Sequence, residues 1–261
     1  MGIFLISLTF ALLSIESTKN LTELYRKRST VPISIPLSVS KLIFLKNYPA
    51  IAEFYLISGI MHFVSKSKDT EFIAKELYNG YKADSYIKET TFFLGNVVPI
   101  KKEEIEMANK YLKLSATYGI DWHIFLYIGY NLLFNLKEYE KAARYFYVAS
   151  KLPGAKPYVH SMLIMAYYRK NDIKSALLYL ITLYKETENP GRKKFLLKKI
   201  EWLQNIVELN KKVKMFYEKE KRYPDSLKEF LHKGYIKEIP IDPFGKGYYF
   251  DKKTHTVKSK W

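Results

Sequence analysis

The sequence of 261 residues contains no cysteine. Disulfides, thiolate metal ligands, iron–sulfur clusters, thiol nucleophiles and lipid attachment through cysteine are therefore excluded. Arginine is scarce: 37 of the 43 basic residues are Lys and only 6 are Arg. A nucleic-acid reader draws on the planar guanidinium for bidentate and stacked contacts, so this balance disfavours DNA or RNA as the specific partner. The formal net charge of +17 attracts anions in general without choosing one. Catalytic signatures are missing too. His62, His123, His160, His232 and His255 include no pair three or four residues apart, and there is no HExxH, GxxxxGK[ST], GxSxG or strand-following GxGxxG. Zinc hydrolysis, phosphate cradling and the hydrolase elbow lose their support. Glu103, Glu104 and Glu106 follow Pro99, where carboxylates favour the positive end of a helix rather than acid–base chemistry. The expectation is a protein without catalytic residues, metal or cofactor.

With 48% apolar and 26% charged residues the chain has enough of both to fold. Residues 3 to 15 (IFLISLTFALLSI) are uncharged and apolar, and Lys19, Arg26, Lys27 and Arg28 follow them. Thirteen residues are short of the roughly 20 that span a bilayer as a helix. Residues 1–18 are expected to be an export signal or membrane anchor, which gives an envelope location facing the periplasm or cell exterior. Basic residues only after the run argue instead for a cytoplasmic body, and a first core helix is the third alternative. Residues 19–41 form a linker, because Pro32 and Pro36 among Ser and Thr interrupt any continuous helix.

From residue 42 onward apolar residues recur at three- and four-residue spacing, which predicts a series of helices. No alternating segment occurs until after Gly245, so a parallel sheet is not expected. Ala74, Ala108, Ala142 and Ala176 lie 34 residues apart. Their neighbours keep phase: Tyr78, Leu112, Phe146 and Leu180 follow four residues later. Gly95 and Gly129 are also 34 apart, with Met61 and Leu163 at the equivalent places. Residues 128–150 (IGYNLLFNLKEYEKAARYFYVAS) and 163–184 (LIMAYYRKNDIKSALLYLITLY) carry the pattern most clearly.

This period and these stretches resemble the tetratricopeptide repeat, a helical hairpin. The resemblance implies a mainly α fold, an α-solenoid of antiparallel helix pairs over residues 42–188, closed by a capping helix at 189–221. Small residues are needed where helices cross. From Gly95 to Ala108, and from Gly129 to Ala142, the distance is 13 residues, one more than the usual pattern. The family also implies that the first helix of each pair lines a concave face that takes another protein or a peptide. Carried over position by position, that face presents His123, Leu126, Tyr130, Leu133 and Phe134, then Tyr158, Ser161, Met165, Tyr168 and Arg169.

Beyond Pro190 a long amphipathic helix is expected from about residue 193 to 219, and residues 189–261 carry more than half of the net charge. A basic part of this kind also suits a cytoplasmic adaptor on nucleic acid or anionic membrane. Residues 222–261 differ in kind. Ser226 and Glu229 have capping-box spacing before a short helix that Gly234 closes. Pro240 and Pro243 restrict two turns, and strands at 248–250 and 254–257 flank a turn at 251–253. The order of YP, GY, DPFG and hairpin resembles the region after the long helix in type II secretion pseudopilins and type IV pilins. That likeness implies a small α+β appendage and a role near a secretion or pilus-like machine. Asp225 and Asp242 are expected to be caps or turn formers rather than calcium ligands. The repeat reading generates one stability prediction: Ala142→Leu overpacks a helix crossing and lowers unfolding free energy by about 1–3 kcal/mol in urea denaturation, whereas an unchanged midpoint contradicts it.

Overall fold

The computed structural model describes residues 34–64, 69–97 and 101–260. The apolar run at 3–15, its basic flank and Pro99 lie outside them. The described residues are mainly helical, with one two-stranded antiparallel sheet. None of their helices is long and apolar enough to cross a membrane. The chain divides into two compact units, Met1–Tyr127 and Ile128–Trp261.

In the first unit, helix α1 (Leu37–Ile43) starts directly after Pro36. The last residues of the expected linker are thus helical, because Pro36 sits at the N-cap, where its missing N–H costs nothing. The segment is pinned by Tyr55, whose hydroxyl donates to the Ile35 carbonyl at 2.6 Å and lies 2.8 Å from the Ser40 hydroxyl. Tyr55 belongs to α2 (Tyr48–Val64), which packs along α3 (Thr70–Ala83). Asp69 caps α3 by accepting from the Phe72 N–H. Helix α4 (Lys88–Phe92) runs into a π turn, Phe93–Val97, and α5 (Lys102–Ser115) follows. Glu104 accepts from the Lys101 N–H at 2.9 Å, so the acidic group does serve the helix start.

Helix α6 (Trp122–Tyr130) ends in a second π turn, Asn131–Asn135. The second unit continues with α7 (Tyr139–Lys151), α8 (Pro157–Arg169) and α9 (Ile173–Glu186), each packed on the next. Helix α10 (Pro190–Glu220) packs on α9 and starts three residues earlier than expected, because Pro190 occupies the first turn and Asn189 accepts from the Arg192 N–H. A π turn holds one residue more than an α turn. The two helices with π turns are the two with the long glycine-to-alanine distance, so the backbone absorbs the extra residue locally.

Ala74, Ala108, Ala142 and Ala176 lie in the first half of α3, α5, α7 and α9, and all are buried. At Gly129 an added Cβ would stand 2.8 Å from the Phe146 ring of α7, so only glycine admits that crossing. At Gly95 the obstructing group is the Cβ of Tyr127 at 2.5 Å. This neighbour comes from α6 rather than from α5.

The terminal segment forms α11 (Leu227–His232), β1 (Tyr248–Asp251) and β2 (Thr256–Ser259). The strands run one to two residues longer or later than the sequence indicates, in the register Tyr248 to Ser259 and Phe250 to Val257. Gly234 ends α11 with φ +70°. The Ser226 side chain makes no cap bond; Glu229 instead pairs with Arg222 and accepts from the Asp225 N–H. Asp225 is correspondingly no cap, and its carboxylate pairs with Lys252. Asp242 forms its turn, accepting from the Phe244 N–H at 2.8 Å and the Ser259 hydroxyl.

An isolated two-stranded hairpin is marginal in water. Burial of Tyr248, Phe250 and Val257 on the core around α10, at roughly 1.5–3 kcal/mol per large apolar side chain, decides its folding. Asn210 of α10 fixes its position, accepting from the Val257 N–H at 2.8 Å and donating to the Ile206 carbonyl. Asn210→Ala is expected to destabilise the full chain by about 1–3 kcal/mol, because it leaves a half-buried N–H without its acceptor; urea denaturation at matched pH measures it, and a loss of only a few tenths contradicts the role.

Candidate functional site

Ser161, Met165, Tyr168 and Arg169 recur at helical spacing on one face of α8. In the second unit this face meets α10 and the terminal hairpin around a cavity of about 360 Å³, lined also by Lys199, Trp202, Tyr249 and Lys258. The Tyr168 ring lies 5.1 Å from the Trp202 ring. Its hydroxyl accepts from the Ser259 N–H at 3.1 Å. Burial pushes the Tyr168 phenol above its ordinary value. The hairpin therefore roofs the end of the face that the sequence reading left open, and half of the expected groove is a cleft.

The remaining expected residues divide. Tyr130 and Phe134 are each 40% exposed, with rings 4.5 Å apart, and Tyr158 is 47% exposed. His123 belongs to the first unit, where it stacks on Trp122 at 3.6 Å and its ring nitrogen lies 2.6 Å from the Asp121 carboxylate. Burial pushes the Asp121 carboxyl up, but Lys88 and the His123 backbone and ring more than offset this, and it is held below its ordinary range. His123 is committed to that arrangement. Leu126 and Leu133, expected to be exposed, are buried. Leu126 shares its face with buried Trp122 four residues earlier, and Leu133 falls inside the π turn, whose extra residue rotates it inward.

Lys199 and Trp202 are functional candidates that the position-by-position transfer missed. Lys199 is only 8% exposed. Its ammonium donates to the Ser161 hydroxyl at 3.2 Å and lies 5.0 Å from the centre of the Phe195 ring. Desolvation lowers its pKa. The signal was present: Lys199 is three residues after Leu196 and four before Leu203, inside the apolar phase of α10.

Lys199 and Ser161 also border a smaller cavity of about 160 Å³ with His160, Tyr158 and Arg192. The His160 imidazole is pushed below its ordinary value by burial, and by the charges of Arg192 and Lys151. Its Nδ1 lies 2.6 Å from the Tyr179 hydroxyl. Among the described residues no cluster of three or more His, Asp or Glu side chains could hold a metal ion.

Comparison with protein-family models, with curated proteins and with solved structures finds no match.

The roof of the cleft is held partly by charge. Asp251 accepts from the Lys258 ammonium at 2.5 Å, the Lys253 N–H at 3.0 Å and the Thr254 hydroxyl at 2.9 Å. Together these hold its carboxyl well below the usual carboxylate range. A depressed folded-state pKa gives stabilisation that is complete above the unfolded value of about 3.9 and is lost as pH falls through the folded one. The Lys253 amide resonance is therefore expected to titrate with a midpoint well below 3.9 in the wild type and not in Asp251→Asn; a midpoint at the ordinary value contradicts the arrangement.

Proposed function

We propose that this chain is a non-catalytic scaffold of the tetratricopeptide type that binds a segment of another protein along the first helices of its hairpins. The observation that carries this reading is the exposed ring pair of Tyr130 and Phe134, 4.5 Å apart, on a chain whose alanines in 34-residue register are buried. The alanines in 34-residue register are buried in α3, α5, α7 and α9, while Tyr130, Phe134 and Tyr158 of the first helices in the second unit stay exposed. Aromatic side chains with two rotatable bonds give a large contact area at low entropic cost, so paired exposed rings suit a protein interface. The groove in this reading is the open Tyr130–Phe134 part of the face. The Tyr168 end serves the cleft.

An envelope location belongs to the same proposal. It is supported by the apolar run at 3–15 and by the pseudopilin-like order of turns after Arg222, which makes a secretion or pilus-like assembly the expected context. A cytoplasmic adaptor acting through its lysine-rich C-terminal part is the competing reading, favoured by the concentration of exposed Lys on α10 and beyond.

The test is recovery of partners from detergent-solubilised envelope by the full chain, comparing wild type with the Tyr130→Ala, Phe134→Ala double variant. The variant is expected to lose a defined partner while retaining its helical spectrum. Equal recovery of every partner removes the groove assignment, and binding to arbitrary duplex DNA that decays steeply with salt supports the competing reading.

A further inference from the structure

Lys199 is a buried cation that has no counter-ion among the described residues. Among the described residues no carboxylate lies within ion-pair distance of its ammonium. One hydroxyl and one ring face replace its lost hydration only in part. A methionine would fill the same apolar phase of α10 without this cost, so the buried charge calls for an explanation in terms of what meets it.

The surroundings narrow the choice. The larger cavity that Lys199 borders lies within the roughly 300–1,000 Å³ range of small-molecule sites. Tyr168, Trp202 and Tyr249 give it aromatic walls, and among the described residues no Asp or Glu lines it. At its border Lys258 is already neutralised by Asp251, and exposed Arg169 adds positive potential. The buried Lys199 ammonium, bonded to Ser161 at the edge of this cavity, matches a negative charge carried on an apolar body. A phosphate dianion costs more to desolvate among these aromatic walls than a carboxylate does.

We infer that this cavity binds a small organic acid, with its carboxylate on the Lys199 ammonium and the Ser161 hydroxyl and its apolar body against Tyr168 and Trp202. The site is independent of the protein-binding face, since it uses neither Tyr130 nor Phe134. Ligand binding supplies the counter-ion that the described residues do not, and a charge-assisted contact in a desolvated setting is stronger than one on the surface.

Titration of sodium 3-phenylpropionate into the full-length protein, followed by calorimetry, tests the assignment. Saturable binding is expected in the wild type and in Lys198→Met, whose exposed lysine is the adjacent control. Binding weaker by about tenfold or more is expected in Lys199→Met and Lys199→Gln, and for the uncharged 3-phenylpropionamide. Without ligand, Lys199→Met is expected to unfold at a higher temperature than the wild type, which also shows that it folds. The inference is overturned if binding is absent, if both Lys199 variants bind the acid as tightly as the wild type, or if the amide or inorganic phosphate binds as well as the acid. A capped phenylalanyl-glutamate dipeptide that binds about tenfold more tightly than the free acid would assign the cavity to an acidic protein segment and equally overturn it.

Discussion

The second unit depends on one helix that buries a single face along most of its length. Thirty-one residues of α10 supply Leu196, Ile200 and Leu203 to the same core as Ala176, Leu180 and Leu183 of α9, then Val213 and Phe216 to the core with Leu227 and Phe230 of α11. Between these ends the helix carries the hairpin through Asn205, which donates to the Tyr248 hydroxyl, and through Asn210, which bonds Val257. The terminal appendage is therefore continuous with the helical core. A pair of four-residue strands has too little surface of its own to fold alone, and α10 provides the partner face that it lacks.

That arrangement has a consequence for binding. A helical hairpin array left open would present the Ser161, Met165, Tyr168 and Arg169 face to solvent, as a wall. The hairpin instead donates the Ser259 N–H to Tyr168 and converts this part of the wall into a cleft. Enclosure is what strips Lys199 of water, and it is also what makes that ammonium selective, since an interior charge discriminates among ligands far more than an exposed lysine does. The many surface lysines set the general attraction for anions; the enclosed one sets chemical preference.

Much of the helical organisation was legible in the sequence. The 34-residue alanine register falls on four helices, α3, α5, α7 and α9, and Pro190 with Gly191 announced a new helix. The extra residue between glycine and alanine was visible as an anomaly, although nothing in the spacing alone said that π turns would absorb it. Leu133 departs from the family position because the π turn rotates it inward, whereas Leu126 departs within a regular helix because it shares the face of buried Trp122. The capping box at Ser226 does not form: the Glu229 N–H donates to the Ser226 carbonyl rather than to its hydroxyl, and the Glu229 carboxylate is taken by Arg222, seven residues away, and by the Asp225 N–H. The cleft was the least legible feature. It needs Ser259 beside Tyr168, 91 residues apart in the chain, and such a contact follows from tertiary packing rather than from any motif. Helical phase alone places Lys199 inside, because it stands three residues after Leu196 and four before Leu203.

Native-state hydrogen exchange in graded denaturant tests the central claim most directly, because it reports whether two segments open together. If α10 joins the hairpin to the helical core, the Val257 and Ser259 amides open with the same free energy and denaturant dependence as the Leu203 and Ile206 amides in α10. Exchange of the two hairpin amides through a separate opening of much lower free energy, with α10 still protected, would contradict the account.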